Sequence, residues 1–179
     1  LWCQQALLAR RLVEAGSSFV TLDLSYHTAS GTWDTHGIPG CVYGGITKGL
    51  GGLLPLFDHL LTTLVTDLEE RDLLDDTLVI AMGEFGRTPN MGTQGSTDGR
   101  NHYTAISGLA MAGGGLRHGQ VIGASERDGG HIKERPVTPG DLAATIYRHM
   151  DVPLDATYLD PRGRPRYVVE EGQPIAELF

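Results

Sequence analysis

The feature that most constrains the fold is an apolar, β-favouring run at residues 77–82 that stops abruptly at a polar, glycine-rich loop, residues 83–99. Such a run, bounded by turn residues, predicts a strand followed by a loop. In open α/β sheets, ligands bind beyond the carboxyl ends of the strands. Because the loop begins with the carboxylate of Glu84 and the guanidinium of Arg87, it predicts a metal or anion site.

Hydrophobic periodicity divides the rest of the chain into helices and strands. Apolar residues at helical spacing predict helices over residues 1–15, with Gly16 as the stop, and from about 46 to 72. The sequence Thr138-Pro139-Gly140-Asp141 predicts the start of a third helix. Further strands are predicted at 18–24, 105–112, 121–122 and 166–169. This order predicts an α/β fold with a mainly parallel sheet covered by helices, in one domain.

Charge and composition disfavour several function classes. The formal net charge of −8 argues against nonspecific binding of nucleic acid, which needs clustered Lys and Arg. No apolar run reaches the roughly 20 residues of a membrane span, and no signal peptide is recognisable. Cys3 and Cys41 are interpreted as free buried thiols. Because the chain opens without methionine inside a predicted helix, we expect its natural start to lie upstream.

Two loop clusters carry residue types suited to chemistry. Asp34 and His36 lie in the motif WDTHG, with His27 nearby. An Asp and a His two residues apart reach one divalent ion if the backbone is extended, and the alternative is an Asx-type turn with a solvated histidine. Glu84 suits metal ligation or general-base work, and Arg87 suits an oxyanion. The alternative there is a Glu84–Arg87 salt bridge that pins the loop.

Two further loop clusters add histidines. In the segment 98–103, His102 precedes a predicted strand and either completes a metal site or is structural. Asp128 and His131 add an optional carboxylate and imidazole in a loop that is equally well exposed. Phosphate-binding, dinucleotide-binding and nucleophile-elbow motifs are absent from the sequence. The combined set suits zinc, manganese or iron better than calcium and consists of Asp34, His36, Glu84 and His102.

Six motifs occur in an order that covers nearly the whole chain: LLARRLVEAG, WDTHG, TLVIAMGEFGRTP, GRNHY, the stretch from Gly113 through GQVIGAS, and RPVTPGDLAATIYRHMDV. Together they resemble the domain-of-unknown-function 1501 (DUF1501) family of bacterial proteins. That family is considered related to the alkaline phosphatase and sulfatase superfamily. The resemblance therefore implies a three-layer α/β/α sandwich. In active relatives it also implies two metal ions beside a phosphate or sulfate ester.

The resemblance implies roles for individual residues. Glu84 takes the place of a superfamily aspartate, His102 resembles the downstream histidine, and Asp34 and His36 resemble a preceding Asp and His pair. These four residues would bind a divalent ion, zinc first, with manganese, iron or calcium as alternatives. Arg87 and Arg100 would stabilise the transferring oxyanion. Phe85 stands where the superfamily has a ligating histidine, and Asn101 where the family usually has aspartate.

Two function hypotheses follow from the resemblance. The first is a metal-dependent hydrolase of small-molecule or polymer phosphate or sulfate esters. The second is a non-catalytic surface or periplasmic binding protein that keeps the fold. No motif here matches the superfamily's nucleophile, which lies at an N-terminal strand end. We therefore expect this chain to be the C-terminal half of a longer protein, with the missing N-terminal half as its partner and a periplasmic or exported location.

Overall fold

The computed structural model describes residues 1–25, 33–37, 44–92 and 95–179, so His27 and Cys41 lie outside the described residues. The three α-helices are α1 Trp2–Glu14, α2 Gly51–Glu69 and α3 Pro139–His149. A π-helical turn, Ile46–Leu50, leads directly into α2, and a 3₁₀ turn, Ala176–Leu178, lies at the end of the chain. These bounds confirm the three helices that the sequence predicts.

Short strands pair two by two in the part of the chain that the structure describes. Each of the four ladders is antiparallel and has two strands. The pairs are β1 Leu78–Met82 with β4 Leu109–Gly113, β2 Gly86–Arg87 with β3 His102–Tyr103, β5 Ala124–Ser125 with β6 Ile132–Glu134, and β7 Thr157–Leu159 with β8 Pro165–Tyr167.

The expected three-layer α/β/α sandwich with a mainly parallel sheet is therefore wrong. In the longest ladder Leu78 lies opposite Gly113 and Met82 opposite Leu109, so β1 and β4 run antiparallel. Parallel neighbours need a crossover connection, usually a helix. Between β1 and β4 the described residues contain only the short strands β2 and β3. Without a crossover helix, β4 returns beside β1 in the opposite direction.

Several predicted strands are also displaced or absent. Residues 18–24 form no ladder with any described residue. The strand predicted at 105–112 begins only at Leu109, and the one predicted at 121–122 forms instead at Ala124–Ser125. The strand predicted at 166–169 forms as Pro165–Tyr167. Because β-favouring residues also occur in extended loops, a ladder partner decides which of them become strands.

Helix α1 packs against α2 through an apolar core and a buried arginine. The buried core side chains are Trp2, Ala6, Leu53 and Leu60. Arg10 is 7% exposed. Its Nε donates to Asp67 Oδ2 at 2.8 Å and its Nη1 donates to Glu14 Oε2 at 2.5 Å. A buried guanidinium is costly without partners, so Glu14 pairs with Arg10 within α1, and Asp67 of α2 ties α1 to α2.

The stretch Ile46–Glu69 is the one helix, within the described ranges, that is long and apolar enough to cross a membrane. It has 24 residues and a hydropathy of 1.2. Length and composition are the only grounds, and the core helix of a soluble protein meets the same test. Only 17% of its apolar window is buried, so α2 exposes much of its apolar surface.

The start of α3 anchors the C-terminal segment. Thr138 Oγ1 accepts a hydrogen bond from Asp141 N at 3.1 Å, and Asp141 Oδ2 accepts one from Thr138 N at 2.8 Å. Asp141 Oδ1 also accepts from Gln173 N at 2.8 Å. Hydrogen bonds from Gln173 and Thr138 hold the pKa of Asp141 below 3.8. One turn later, the buried Thr145 Oγ1 accepts from Ile175 N at 2.9 Å.

We predict that Thr138→Ala lowers the free energy of unfolding by about 1 kcal/mol, because the substitution removes the N-terminal cap of α3. Urea unfolding should show a lower midpoint with an unchanged slope. The exposed Thr104 supplies the control, Thr104→Ala. Since the pKa of Asp141 is depressed, its contribution is complete above pH 3.8 and is lost as the pH falls through the folded-state pKa. Equal urea midpoints for Thr138→Ala and Thr104→Ala would show that Thr138 does not cap α3.

Candidate metal and oxyanion site

Two polar segments, residues 33–37 and 98–102, pack against each other through their backbones. Arg100 N donates to Thr35 O at 3.2 Å, and Thr35 is buried. A Cβ added at Gly99 would overlap the carbonyl oxygen of His36. Glycine is therefore needed at 99 for the two backbones to approach so closely. The contact brings together two motifs that are far apart in the sequence.

Trp33 anchors the first of these segments in the helical core. Its indole stacks on Trp2, with ring centroids 5.8 Å apart and planes 6° apart, and meets Phe57 edge-on at 6.0 Å. Its Nε1 donates to Leu24 O at 2.9 Å. A partly buried aromatic ring that packs on the core, with its polar atom hydrogen-bonded, is a firm attachment point. The residues that follow Trp33 are thus held in place by the packing of α1 and α2.

Asp34 and His36 form a hydrogen-bonded pair. Asp34 Oδ1 accepts from His36 N at 3.1 Å and lies 2.7 Å from His36 Nδ1. The backbone bond is the Asx-type turn of the alternative interpretation. The ring is engaged as well, because His36 Nε2 lies 3.1 Å from Asn101 Oδ1. A carboxylate at Nδ1 orients the imidazole in the way that is typical of metal-binding histidines.

The His102 ring lies beside that of His36. The two ring centroids are 4.9 Å apart, and the Phe85 ring packs on the His102 ring with centroids 4.1 Å apart. Desolvation lowers the pKa of His102 below 6.5, and the positive charge of Arg87 lowers it further, while nearby carboxylates oppose the shift. The imidazole is consequently neutral at pH 7, which is the state that a metal ligand or proton acceptor needs.

Arg87 bridges the two segments through backbone carbonyls, and Arg100 ties the second segment to residues 87 and 88. The sequence did not reveal either role. Arg87 Nη2 donates to Trp33 O at 3.1 Å and its Nη1 to Arg100 O at 3.3 Å. Arg100 Nη2 donates to Arg87 O at 2.9 Å, and its Nε donates to Thr88 O. A guanidinium has five N–H donors, so both arginines keep donors for an anion. Burial lowers the pKa of Arg87, against the charges of Asp34 and Glu84.

Asp98 ties the second segment to the start of the long helix. Its Oδ2 accepts from Thr47 N at 3.0 Å and its Oδ1 from Thr47 Oγ1 at 2.8 Å. Its carbonyl oxygen accepts from Ile46 N at 2.8 Å. A Cβ at Gly45 would overlap that carbonyl. Asp98 therefore positions the segment 98–102, and no local pattern in the sequence indicates this role.

The fourth sequence cluster is joined to the site through β3. Tyr103 Oη donates to the buried Gly130 O at 2.8 Å. Asp128 Oδ1 accepts from Gly130 N at 2.8 Å, so its carboxylate stabilises its own turn. His131 is exposed. Asp128 thus supports the turn that holds Tyr103, next to His102, whereas, among the described residues, His131 contributes no side-chain contact to it.

The separation of the two imidazole rings is that expected of two ligands of one metal ion. Two imidazoles on one tetrahedral ion, with bonds of about 2.0–2.1 Å, have ring centroids about 5 Å apart. The observed separation of the His36 and His102 centroids is 4.9 Å. In the described part of the chain, no three His, Cys, Asp or Glu side chains form a metal-holding group. Asp34 orients His36, and the exposed Glu84 acts on His102 through its charge. Ligation by Asp34 and Glu84 stays a prediction.

Comparison with known proteins gives one match. A family model described as "Protein of unknown function (DUF1501)" matches residues 2–179. No curated protein and no solved structure matches the chain. The family expected from the six motifs is therefore confirmed. The relation to the alkaline phosphatase and sulfatase superfamily, and the assignment to a C-terminal half, stay predictions.

We predict that Gly99→Ala lowers the free energy of unfolding by about 1–3 kcal/mol, because the new Cβ forces the segments 33–37 and 98–102 apart. The matched control is Gly108→Ala, where a Cβ meets nothing within 4 Å. Its urea midpoint should stay close to that of the parent. If both alanine variants unfold at the same urea concentration, the close backbone contact does not exist.

We also predict that His102 titrates below pH 6.5, as followed by the NMR shift of its ring protons. The unfolded chain then binds more protons between the two pKa values, so stability rises with pH through that window. Arg87→Met should raise the pKa of His102, since it removes a positive charge, whereas Arg87→Lys should leave the pKa low. A midpoint at or above 6.5 in the parent would refute the assigned environment.

Proposed function

The chain belongs to the DUF1501 family, and we propose that it is a metal-dependent hydrolase of phosphate or sulfate esters. One observation carries the proposal: His36, oriented by Asp34, lies with its ring centroid 4.9 Å from that of His102. Two arginines line the same pair of segments. Imidazoles, carboxylates and fixed cations together suit the hydrolysis of an anionic ester.

In this proposal His36 and His102 hold the ion, and Asp34 keeps the His36 ring in one tautomer. Asn101 Oδ1 lies 3.1 Å from His36 Nε2, and it would have to move for that nitrogen to bind an ion. Glu84, exposed after β1, supplies a carboxylate to the same place. A divalent ion held there, zinc first with manganese, iron or calcium as alternatives, would supply Lewis-acid chemistry for an ester.

Arg87 and Arg100 bind the oxyanion of the ester. Their hydrogen bonds to backbone carbonyls fix each guanidinium before a substrate arrives. Donors that are already in place stabilise developing negative charge without reorganisation. The ester is a small molecule or a polymer. Polypeptide outside residues 1–179, an N-terminal half by the family resemblance, supplies the nucleophile, and the whole protein is periplasmic or exported.

A second candidate is a non-catalytic binding protein at the cell surface or in the periplasm. The observation that favours it is that the site's side chains already bind one another and nearby backbone carbonyls. His36 is engaged at both ring nitrogens, and Arg87 and Arg100 each donate to two backbone carbonyls. Such a site binds an anion or a partner without needing a nucleophile.

We predict that the purified protein, together with any polypeptide encoded upstream, binds zinc and hydrolyses p-nitrophenyl phosphate or p-nitrophenyl sulfate. His102→Ala should abolish tight zinc binding in isothermal titration calorimetry. Asp34→Asn should weaken it by about 10–100-fold, because Asp34 orients a ligand. The control is His59→Ala, an exposed histidine on α2 that should bind zinc like the parent.

The outcomes separate the two candidates. Zinc binding that depends on His102, without hydrolysis of a broad ester panel, supports the non-catalytic protein and rejects the hydrolase. Equal zinc affinity in the parent and in His102→Ala rejects the metal site itself. Hydrolysis that is lost in Asp34→Asn and His102→Ala but kept in His59→Ala supports the enzyme.

A further inference from the structure

The two histidines of the candidate site differ in how their rings are held. Both ring nitrogens of His36 have a polar neighbour, Asp34 Oδ1 at 2.7 Å and Asn101 Oδ1 at 3.1 Å. Among the described residues, the ring of His102 has no hydrogen-bond partner, and it meets two other rings, those of His36 and Phe85. His102 is exposed as well. The orientation of its ring therefore depends on these ring contacts.

The half-buried Phe85 makes the closer of the two contacts. Its ring centroid lies 4.1 Å from that of His102 with 30° between the planes, whereas the His36 centroid lies 4.9 Å away at 48°. The short separation and the smaller tilt mean that the rings of Phe85 and His102 stack. The lone pairs of an imidazole lie in the plane of its ring. A ring stacked on its face therefore restricts its rotation and leaves both nitrogens free for a ligand.

The backbone fixes the Phe85 ring relative to His102. In the ladder of β2 and β3, Arg87 lies directly opposite His102. Gly86, between Phe85 and Arg87, belongs to the same ladder, and a Cβ added there would overlap Ile106 O. Glycine is therefore needed at 86 for this close approach. Because Phe85 directly precedes the ladder and His102 is part of it, one short pairing carries both rings.

The Phe85 ring also lies near the arginine that the proposed function assigns to the oxyanion. Arg87 Cζ is 5.8 Å from the centroid of the Phe85 ring. A guanidinium within about 6 Å of the face of an aromatic ring is attracted to it. The backbone carbonyls of Trp33 and Arg100 hold the same guanidinium. Phe85 thus has contacts with both halves of the candidate site, the imidazole pair and the guanidinium.

We propose that Phe85 is a positioning residue of the candidate site. Its ring, stacked on His102, holds that imidazole beside the imidazole of His36, where the two rings can share one divalent ion. The inference rests on the proposed function, because it assigns Phe85 a role toward a metal ligand. Phe85 has no atom that binds a metal, so it acts only through His102. Ordering a ligand before the ion arrives raises the affinity for the ion.

The first test is NMR of the metal-free protein. In the parent, nuclear Overhauser contacts should join the ring protons of Phe85 and His102, and the ring current of Phe85 should shift the His102 ring protons upfield. Phe85→Leu removes the ring and should return these signals toward their positions in the unfolded chain. Phe85→Tyr keeps the ring and should keep the upfield shift. The matched control is Phe19→Leu, because Phe19 is 67% exposed and lies outside the site.

The second test is zinc affinity, measured by isothermal titration calorimetry. Phe85→Leu should bind zinc about threefold to tenfold more weakly than the parent, a factor that corresponds to the loss of one aromatic pair. Phe85→Tyr and Phe19→Leu should bind zinc within about twofold of the parent. Urea unfolding separates this effect from stability, because a residue that only stabilises the fold lowers the urea midpoint without weakening zinc binding by the folded protein. If Phe85→Leu does not fold, Phe85→Met replaces it, since methionine adapts to irregular gaps.

Three results would overturn the role of Phe85. The first is the absence of contacts between the rings of Phe85 and His102 in the parent. The second is a set of His102 signals that is the same in Phe85→Leu as in the parent. The third is equal zinc affinity of Phe85→Leu and a parent that binds zinc, which leaves the metal site intact. A parent that binds no zinc rejects the metal site itself and, with it, this role of Phe85.

Discussion

The candidate site depends on the packing of Trp33. This one residue belongs to the helical core through its stacked contact with Trp2, 5.8 Å between ring centroids, and to the site through its backbone. Its carbonyl oxygen accepts from Arg87 Nη2 at 3.1 Å. Asp34 and His36 follow within three positions, so the packing of α1 against α2 determines where this pair lies. A site built on a loop needs such an anchor, because a loop alone does not fix its side chains.

Close contacts between two backbone segments also position the site residues. Residues 33–37 and 98–101 are irregular, so their polar backbone groups cannot be satisfied by helices or ladders. Gly99 and Gly45 allow the backbones to touch. Arg87 and Arg100 then satisfy carbonyl oxygens across the contact. Because each guanidinium keeps unused donors, the same two side chains hold the site together and give it a positive charge.

The sequence predicted the helices, which depend on neighbouring residues, but it did not predict contacts between residues that are far apart in the chain. Helices follow from periodicity and caps, as at Thr138 and at Gly16, whose φ is +97°. The predicted parallel direction of β4 beside β1 was wrong, because an apolar run is compatible with a parallel or an antiparallel ladder. The types of the polar residues and their order in the motifs identified the candidate site residues. The bond between His36 and Asn101 joins residues 65 apart, and the Arg87 bond to Trp33 joins residues 54 apart. No local pattern encodes such pairs.

The end of β1 contributes to the electrostatics of the site. Met82 is 58% exposed, and Glu84 follows two positions later with its charge acting on His102 and Arg87. The Glu84 charge acts to raise the pKa of both Arg87 and His102, against the desolvation that lowers both values. A carboxylate at the end of a strand therefore offsets part of the cost of placing two cationic groups side by side.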